Sequence, residues 1–442
     1  MKNTTQIAEE HESLTRRHFL LLSAAGAAGL SLPAYGADKR NNALSLEEAI
    51  AKLEYLTLDE DFTFFGRVDP KPHQLSPERL KEEGLTRDSW KLEVLPDPSS
   101  DTGVKFPSST GGRKRKAPDP KSMLPVVENP LSKALGTAFT WGDLMGLAET
   151  KAVRIMKVMT CTNGGKPCGM GLWEGVPLRD VIWLAKPKSN IRRVIYYGFH
   201  NDEPKQIFQG SLPIGRVLED PPDDHPVLLC YKMNEEWLSL KRGGPVRIIV
   251  PEGYGNKNVK WIDTVILTNN HKANDTYANW NNDTASQMKT CARFIHKPKS
   301  VKSGAPIPVT GIAQIGMSGL EKVQYLLLPK EAPKPSDDPY YIQSDWKDAE
   351  ILSPPKDWGG GLAGGKITDT PIQFDQKTGK PSDWPIRYTI AHWAVAIPGI
   401  KAGKYDLRCR TIDANGVAQP MPRPFNKSGN NKIARVSITV EA

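Results

Sequence analysis

The chain has 442 residues, of which 38% are hydrophobic, with 37 Gly and 37 Pro. That length holds two or three domains with their own cores, and the Gly and Pro content excludes a helical bundle. The net charge of +9 is diffuse, and the compact basic run Arg113 to Lys116 sits in a Pro/Ser/Gly-rich stretch without interleaved aromatic residues. A nucleic-acid surface is thereby excluded, whereas dispersed positive charge suits small oxyanions.

At the N-terminus, Thr15-Arg16-Arg17-His18-Phe19-Leu20 leads into an apolar run from Leu20 to Leu32, with small residues at Ala34, Gly36 and Ala37. This pattern predicts a twin-arginine signal peptide over 1–37 and a periplasmic mature protein. The run of 13 residues is shorter than the roughly 20 of a spanning helix, so no membrane span is expected after signal removal. Twin-arginine export carries folded proteins, often with a cofactor already inserted. The five cysteines, at 161, 168, 230, 291 and 409, are odd in number and scattered, unlike a disulfide framework. No C-x-x-C-H is present, so no haem is expected in this chain.

Leu44 to Leu56 reads as a short helix, and Phe62 to Arg67 as an apolar strand ending on an arginine. Residues 96–125 are rich in Pro, Ser, Gly and Lys and read as a loop or insertion. Thr140 is placed to cap a helix starting at Trp141. Val153 to Met159 is apolar and β-prone, and it delivers Cys161 to the mouth of a Gly/Asn-rich loop that closes on Trp173-Glu174-Gly175-Val176-Pro177-Leu178. A thiol on such a loop can meet a cofactor at close range, because glycine lets backbone approach without a Cβ.

Further strands are expected at Arg193–Phe199, Val227–Met233, Gly244–Pro251 and Lys260–Leu267, with a short helix at 177–184. The order is mixed α+β without a regular βαβ repeat. No GxGxxG or GxxxxGK[ST] appears, which excludes dinucleotide and P-loop sites. Residues 270–298 are polar and read as a connector. From Lys299 the chain turns to strands: Tyr405, Leu407, Cys409 and Thr411 alternate with Asp406, Arg408 and Arg410, and Pro398-Gly399 and Asn415-Gly416 mark turns. The expectation is an α+β catalytic domain over 38–298, then an immunoglobulin-like β-sandwich over 299–442.

Five segments, in order, resemble the sulfite oxidase family of molybdopterin oxidoreductases. They are Cys161-Thr162-Asn163-Gly164-Gly165, Trp173 to Leu178, Gly210-Ser211-Leu212-Pro213, Leu228 to Asn234, and Gly244 to Pro251 followed by Val259-Lys260-Trp261-Ile262. Asp413-Ala414-Asn415-Gly416 through Gln419-Pro420 resembles a motif of the family's C-terminal dimerisation domain. The resemblance implies a molybdenum–molybdopterin cofactor, with Cys161 as the protein thiolate on the metal. Soft thiolates suit that metal. It also implies Arg247 and Lys260 as anchors of the anionic pterin, with Ser211, Asn258 and one of His200 or Asp202 as further cofactor contacts. Arg67, in a partial F-F-x-R match, and Arg242 would steer an anionic substrate.

Three departures accompany the match. Thr284 stands where the family has a tyrosine, and Arg242 where it has a histidine. Val68-Asp69 replaces the Asn-His that follows the F-F-x-R arginine. The expected activity is two-electron oxygen-atom transfer at a small sulfur-containing anion such as sulfite, with electrons leaving to a c-type cytochrome or similar acceptor. A homodimer through the C-terminal domain is expected. Sulfane dehydrogenase-like or sulfoxide reductase activity are alternatives within the class. A fold-retaining, non-catalytic scaffold and a Cys161–Cys168 disulfide are alternatives outside it.

Overall fold

The computed structural model describes residues 44–66, 70–97, 127–162, 167–188, 190–199, 207–220, 224–278, 283–420 and 429–442. The signal peptide, most of the 96–125 segment, Arg67, His200 and Asp202 lie outside them.

Local chemistry explains the first elements. Ser45 and Glu48 form a capping box on α1 (Leu46–Ala51), which is shorter than the helix expected over 44–56. Pro at the first turn opens α2 (Pro77–Glu82). After β1 (Lys91–Pro96) and β2 (Phe139–Thr140), Thr140 caps α3 (Trp141–Lys151) by accepting from Asp143 N–H, as expected. Then come β3 (Val153–Met159), β4 (Gly169–Pro177), α4 (Leu178–Leu184), β5 (Arg193–Gly198), β6 (Gln209–Pro213) and α5 (Ile214–Leu218). The series continues with β7 (Leu228–Met233), β8 (Glu236–Trp237), β9 (Arg247–Ile249) and β10 (Ile262–Thr268). The C-terminal strands are β11 (Cys291–His296), β12 (Ser300–Lys302), β13 (Ile307–Gln314), β14 (Lys322–Pro329), β15 (Lys347–Ile351), β16 (Ile390–Ile397), β17 (Gly403–Ile412) and β18 (Ala434–Glu441).

Two sheets build the first part. One runs β2-β1-β10-β5-β6, the other β3-β4-β7-β8 with β9 also on β7. Only β1 and β10 pair in parallel there. Every residue of β4 is buried. Gly175 in β4 is needed for close approach, since a Cβ there would meet Leu229 O at 2.4 Å where the β4–β7 register shifts. The third sheet is all β, in the order β11-β13-β16-β15-β14-β17-β18-β12. Among the described residues no helix is long and apolar enough to cross a membrane.

Two expectations need correction. Residues 62–66 form no strand; Phe62 instead packs edge-on against Trp173, with ring centroids 6.1 Å apart. The 270–298 stretch is not only a connector, because its β11 pairs with β13. In β17 the alternating Asp406, Arg408 and Arg410 are buried as well, with Arg408 over the Tyr341 ring at 4.4 Å and Arg410 over Trp346 at 4.2 Å.

The cores explain why β3 matters. Ile155 and Met159 face a cluster with Phe62, Cys168, Trp173 and Cys230, beside Cys161. On the other face Met156 and Val158 enter a cluster shared with Trp358, Phe374, Tyr388 and Ile390 of the C-terminal region. The strand that leads to Cys161 therefore lies between two cores.

Candidate functional site around Cys161

Cys161 follows the end of β3, where the ladder to β4 closes with Cys168 N–H donating to Met159 O at 2.7 Å. All five cysteines are free, so no Cys161–Cys168 disulfide is present, and Cys161 alone is not buried. Burial pushes the Cys168 thiol up and the Cys230 thiol up to about 12, so both are held as neutral packing groups. Cys161 is thus the thiol with access to a ligand.

Four cations converge on this thiol pair. Arg247 is fully buried on β9; its Nη1 donates to Arg242 O at 2.6 Å and its Nη2 to Asn258 O at 2.9 Å. Its plane lies over Trp173 at 5.2 Å, and its Nε has no partner. Burial, with Arg242 adding repulsion, brings its pKa down to about 10. Arg242 is 4% exposed and reaches Asp59 at 2.9 Å, at an angle that makes an ion pair but not a hydrogen bond. Lys260 Nζ donates to Phe65 O at 3.0 Å and Lys241 O at 2.9 Å, and sits 4.2 Å over the Phe64 ring. Burial first, then Arg247 and Arg242, hold its pKa well below the usual lysine range.

The fourth cation, Lys157, was not singled out by sequence reasoning. It is completely buried in β3, and its Nζ donates to Val158 O at 2.9 Å and Gly253 O at 3.0 Å and approaches Met288 Sδ at 3.7 Å. Among the described residues no carboxylate forms an ion pair with it, and burial, partly offset by the Glu252 charge, lowers its pKa to about 7. The available signal was a lysine inside an otherwise apolar strand, VRIMKVM, on the same alternation as Ile155 and Met159.

Other expected contacts belong elsewhere. Ser211 is buried and accepts from Arg193 Nε at 3.1 Å, while its carbonyl accepts from Lys257 Nζ. Asn258 is spent on the loop: its Oδ1 accepts from Val250 N–H, its Nδ2 donates to Gly253 O and Tyr254 O, and its backbone N–H donates to Gly255 O. Gly255 N–H likewise donates to Thr160 O. These groups brace the loop that carries Arg247's partner carbonyl and are not free donors. Thr284 is exposed at a turn. Arg67, His200 and Asp202 lie outside the described residues.

The donor set fits an anionic metal cofactor. Among the described residues the four cations share one paired carboxylate, Asp59, with Glu252 acting on Lys157 only through its longer-range charge, and burying charge without a close counter-ion is costly. The Arg247 Nε has no acceptor among the described residues. Among the described residues no three His, Cys, Asp or Glu side chains group together.

Residues 129–276 match the oxidoreductase molybdopterin binding domain family. Over 123 residues the chain is 30% identical to the mitochondrial sulfite oxidase of Drosophila melanogaster, covering 28% of this chain and 21% of that protein. Over 212 residues it is 29% identical to the NADH nitrate reductase of Volvox carteri, covering 46% of this chain and 19% of that protein. The chain spans about a fifth of the length of these relatives. The crystal structure of the sulfane dehydrogenase SoxCD from Paracoccus pantotrophus aligns with a TM-score of 0.52 over 94% of this chain and 96% of that one. At 16% identity that likeness speaks for the fold. The cysteine, its cationic surroundings and the domain match converge: residues 129–276 are similar to the molybdopterin-binding domain of oxidoreductases of the sulfite oxidase and nitrate reductase type.

Proposed function

We propose that this protein is a periplasmic oxidoreductase that transfers an oxygen atom to or from a small sulfur-containing anion such as sulfite and exchanges electrons with a separate c-type cytochrome or similar carrier. The observation that carries this reading is the cluster of Lys157, Arg242, Arg247 and Lys260 around the Cys168 thiol, which neighbours the more accessible Cys161. When bound, the molybdenum–molybdopterin group supplies the two-electron redox centre. Cys161 would ligate the metal, while Arg247 and Lys260 would hold the cofactor's anionic groups. Arg242 lies beside them, anchored by Asp59, and would favour an anionic substrate over a neutral one. Phe62 and Trp173 pack against the buried Arg242 and Arg247 and keep water from them, which strengthens their attraction for an anion, while Phe64 lies under the half-buried Lys260. The C-terminal region is read as an immunoglobulin-like sandwich that pairs two copies into a homodimer.

The test has two stages. Protein purified from a molybdenum-sufficient host is assayed for bound metal, and then for turnover of sulfite, thiosulfate, sulfoxides and nitrate with a dye or cytochrome carrier. Near-stoichiometric molybdenum and turnover of a sulfur anion are expected. Absence of molybdenum would leave a scaffold that keeps the fold, and turnover of nitrate alone would overturn the sulfur assignment.

A further inference from the structure

The β3 strand lies at the edge of its sheet, with β4 as its one strand partner. An edge strand offers a row of unpaired backbone groups at every second residue. Here that row is occupied at each position. Ile372 N–H donates to Arg154 O at 3.1 Å. Gln373 Nε2 donates to Met156 O at 2.8 Å, and its Oε1 accepts Met156 N–H at 2.6 Å. Val158 N–H donates to Tyr388 O at 2.8 Å. Thr160 Oγ1 donates to Gln314 Oε1 at 2.6 Å, and Asn430 N–H donates to Thr162 O at 3.1 Å.

Residues 154, 156, 158, 160 and 162 are thus all held by the C-terminal region, through groups drawn from four separate stretches of it. No strand of that region pairs with β3. Gln373 takes the place of one, because a primary amide presents an acceptor and a donor side by side, as a strand residue does in an antiparallel pair. Gln373 and Gln314 are 6% and 2% exposed, so water does not compete for these bonds. Cys161 lies between the last two held residues.

We infer that the C-terminal region positions the metal-ligating cysteine, with Gln373 as the principal positioning residue and Gln314 as its counterpart at the loop mouth. The region then sets the height and direction at which Cys161 leaves the sheet. The inference rests on the reading of Cys161 as a ligand only for its functional consequence; the positioning itself is a property of the metal-free chain.

The test is native-state alkylation of the metal-free full chain with iodoacetamide, followed by mass spectrometry of Cys161 and of Cys409, which is buried in β17. Gln373→Met keeps the length and removes both bonds. The two bonds together contribute about 2 kcal/mol, so Cys161 labelling is expected to rise up to about 30-fold relative to Cys409. Thr368→Val is the control. It removes a 2.6 Å bond to Glu235 that also joins the two regions but lies off the strand, and it should leave the ratio unchanged. Thr160→Val provides a milder second variant should Gln373→Met fail to fold, with a smaller rise in the same ratio. An unchanged ratio in the variant that folds, or an equal rise at Cys409, overturns the inference. Molybdenum content is measured alongside and is expected to fall in Gln373→Met. If the wild-type protein holds no molybdenum, the proposed function fails while the labelling ratio still decides the positioning role.

Discussion

Two neighbouring groups of buried charge follow opposite rules. On one side Lys257 and Asp275, 1% and 0% exposed at their side chains, meet at 2.6 Å. Near them Arg216 holds both oxygens of Glu252 at 2.7 and 2.9 Å. On the other side, around Cys161, Lys157 has only carbonyls and a thioether, and Arg247 has carbonyls and an aromatic face. Both groups lie beside the same loop, 250–260, so general burial does not explain the contrast. Paired charges fix architecture. Cations left without an anion in a dry site mark where an anion is to be received.

The largest effect should come from the thiols. Cys161→Ala is expected to abolish both molybdenum content and turnover, while Cys168→Ala spares most of each. Metal analysis with a turnover assay checks this, and equal loss in both variants would tell against Cys161 as the ligand.

The charge contrast itself is broken by comparing Asp275→Asn with Lys157→Met in the metal-free protein. Removing Asp275 leaves Lys257 buried and unpaired, and should cost about 3–5 kcal/mol in denaturant unfolding. Lys157→Met exchanges an unpaired buried cation for an apolar chain of similar length, and should be neutral or stabilising at neutral pH. Comparable losses in the two would erase the distinction.

A smaller effect is expected with pH. Burial holds the folded Lys157 pKa at about 7, below its ordinary 10.5. Between those values the unfolded chain keeps a proton that the folded one has released. The stability of the metal-free protein should therefore rise with pH across that window through this group, and the penalty should be complete below about 7. Lys157→Met should flatten that slope. Unfolding midpoints across the range measure it, and an identical slope in the variant would contradict the assignment.

The legible parts of the site were those written in contiguous residues. The cysteine loop, the Arg247 strand and the Lys260 segment each show in a few adjacent letters, because strand alternation and loop composition are local. Lys157 was hidden for the same reason: one lysine in a strand ordinarily marks a solvent face, and only the core on both sides of β3 shows otherwise. The strand expected at Phe62 fails because its apolar residues serve packing on Trp173 rather than a ladder. β11 was obscured by the polar residues that precede it. The contacts of Gln373, Gln314 and Asn430 have no local signature at all, since a buried glutamine and a surface one read alike until the fold brings an edge to them.

The Gln373 clamp also orders events in time. It joins residues 217 positions apart, and bringing such distant segments together is a slow step that waits for loop closure. A chain emerging from synthesis can complete the ladder of β3, β4 and β7 well before residue 373 exists. The edge beside Cys161 then stays open until the last third of the protein has folded and docked. Cys161 thus reaches its final setting late, and the interval before docking is when the pocket beside it is easiest to enter.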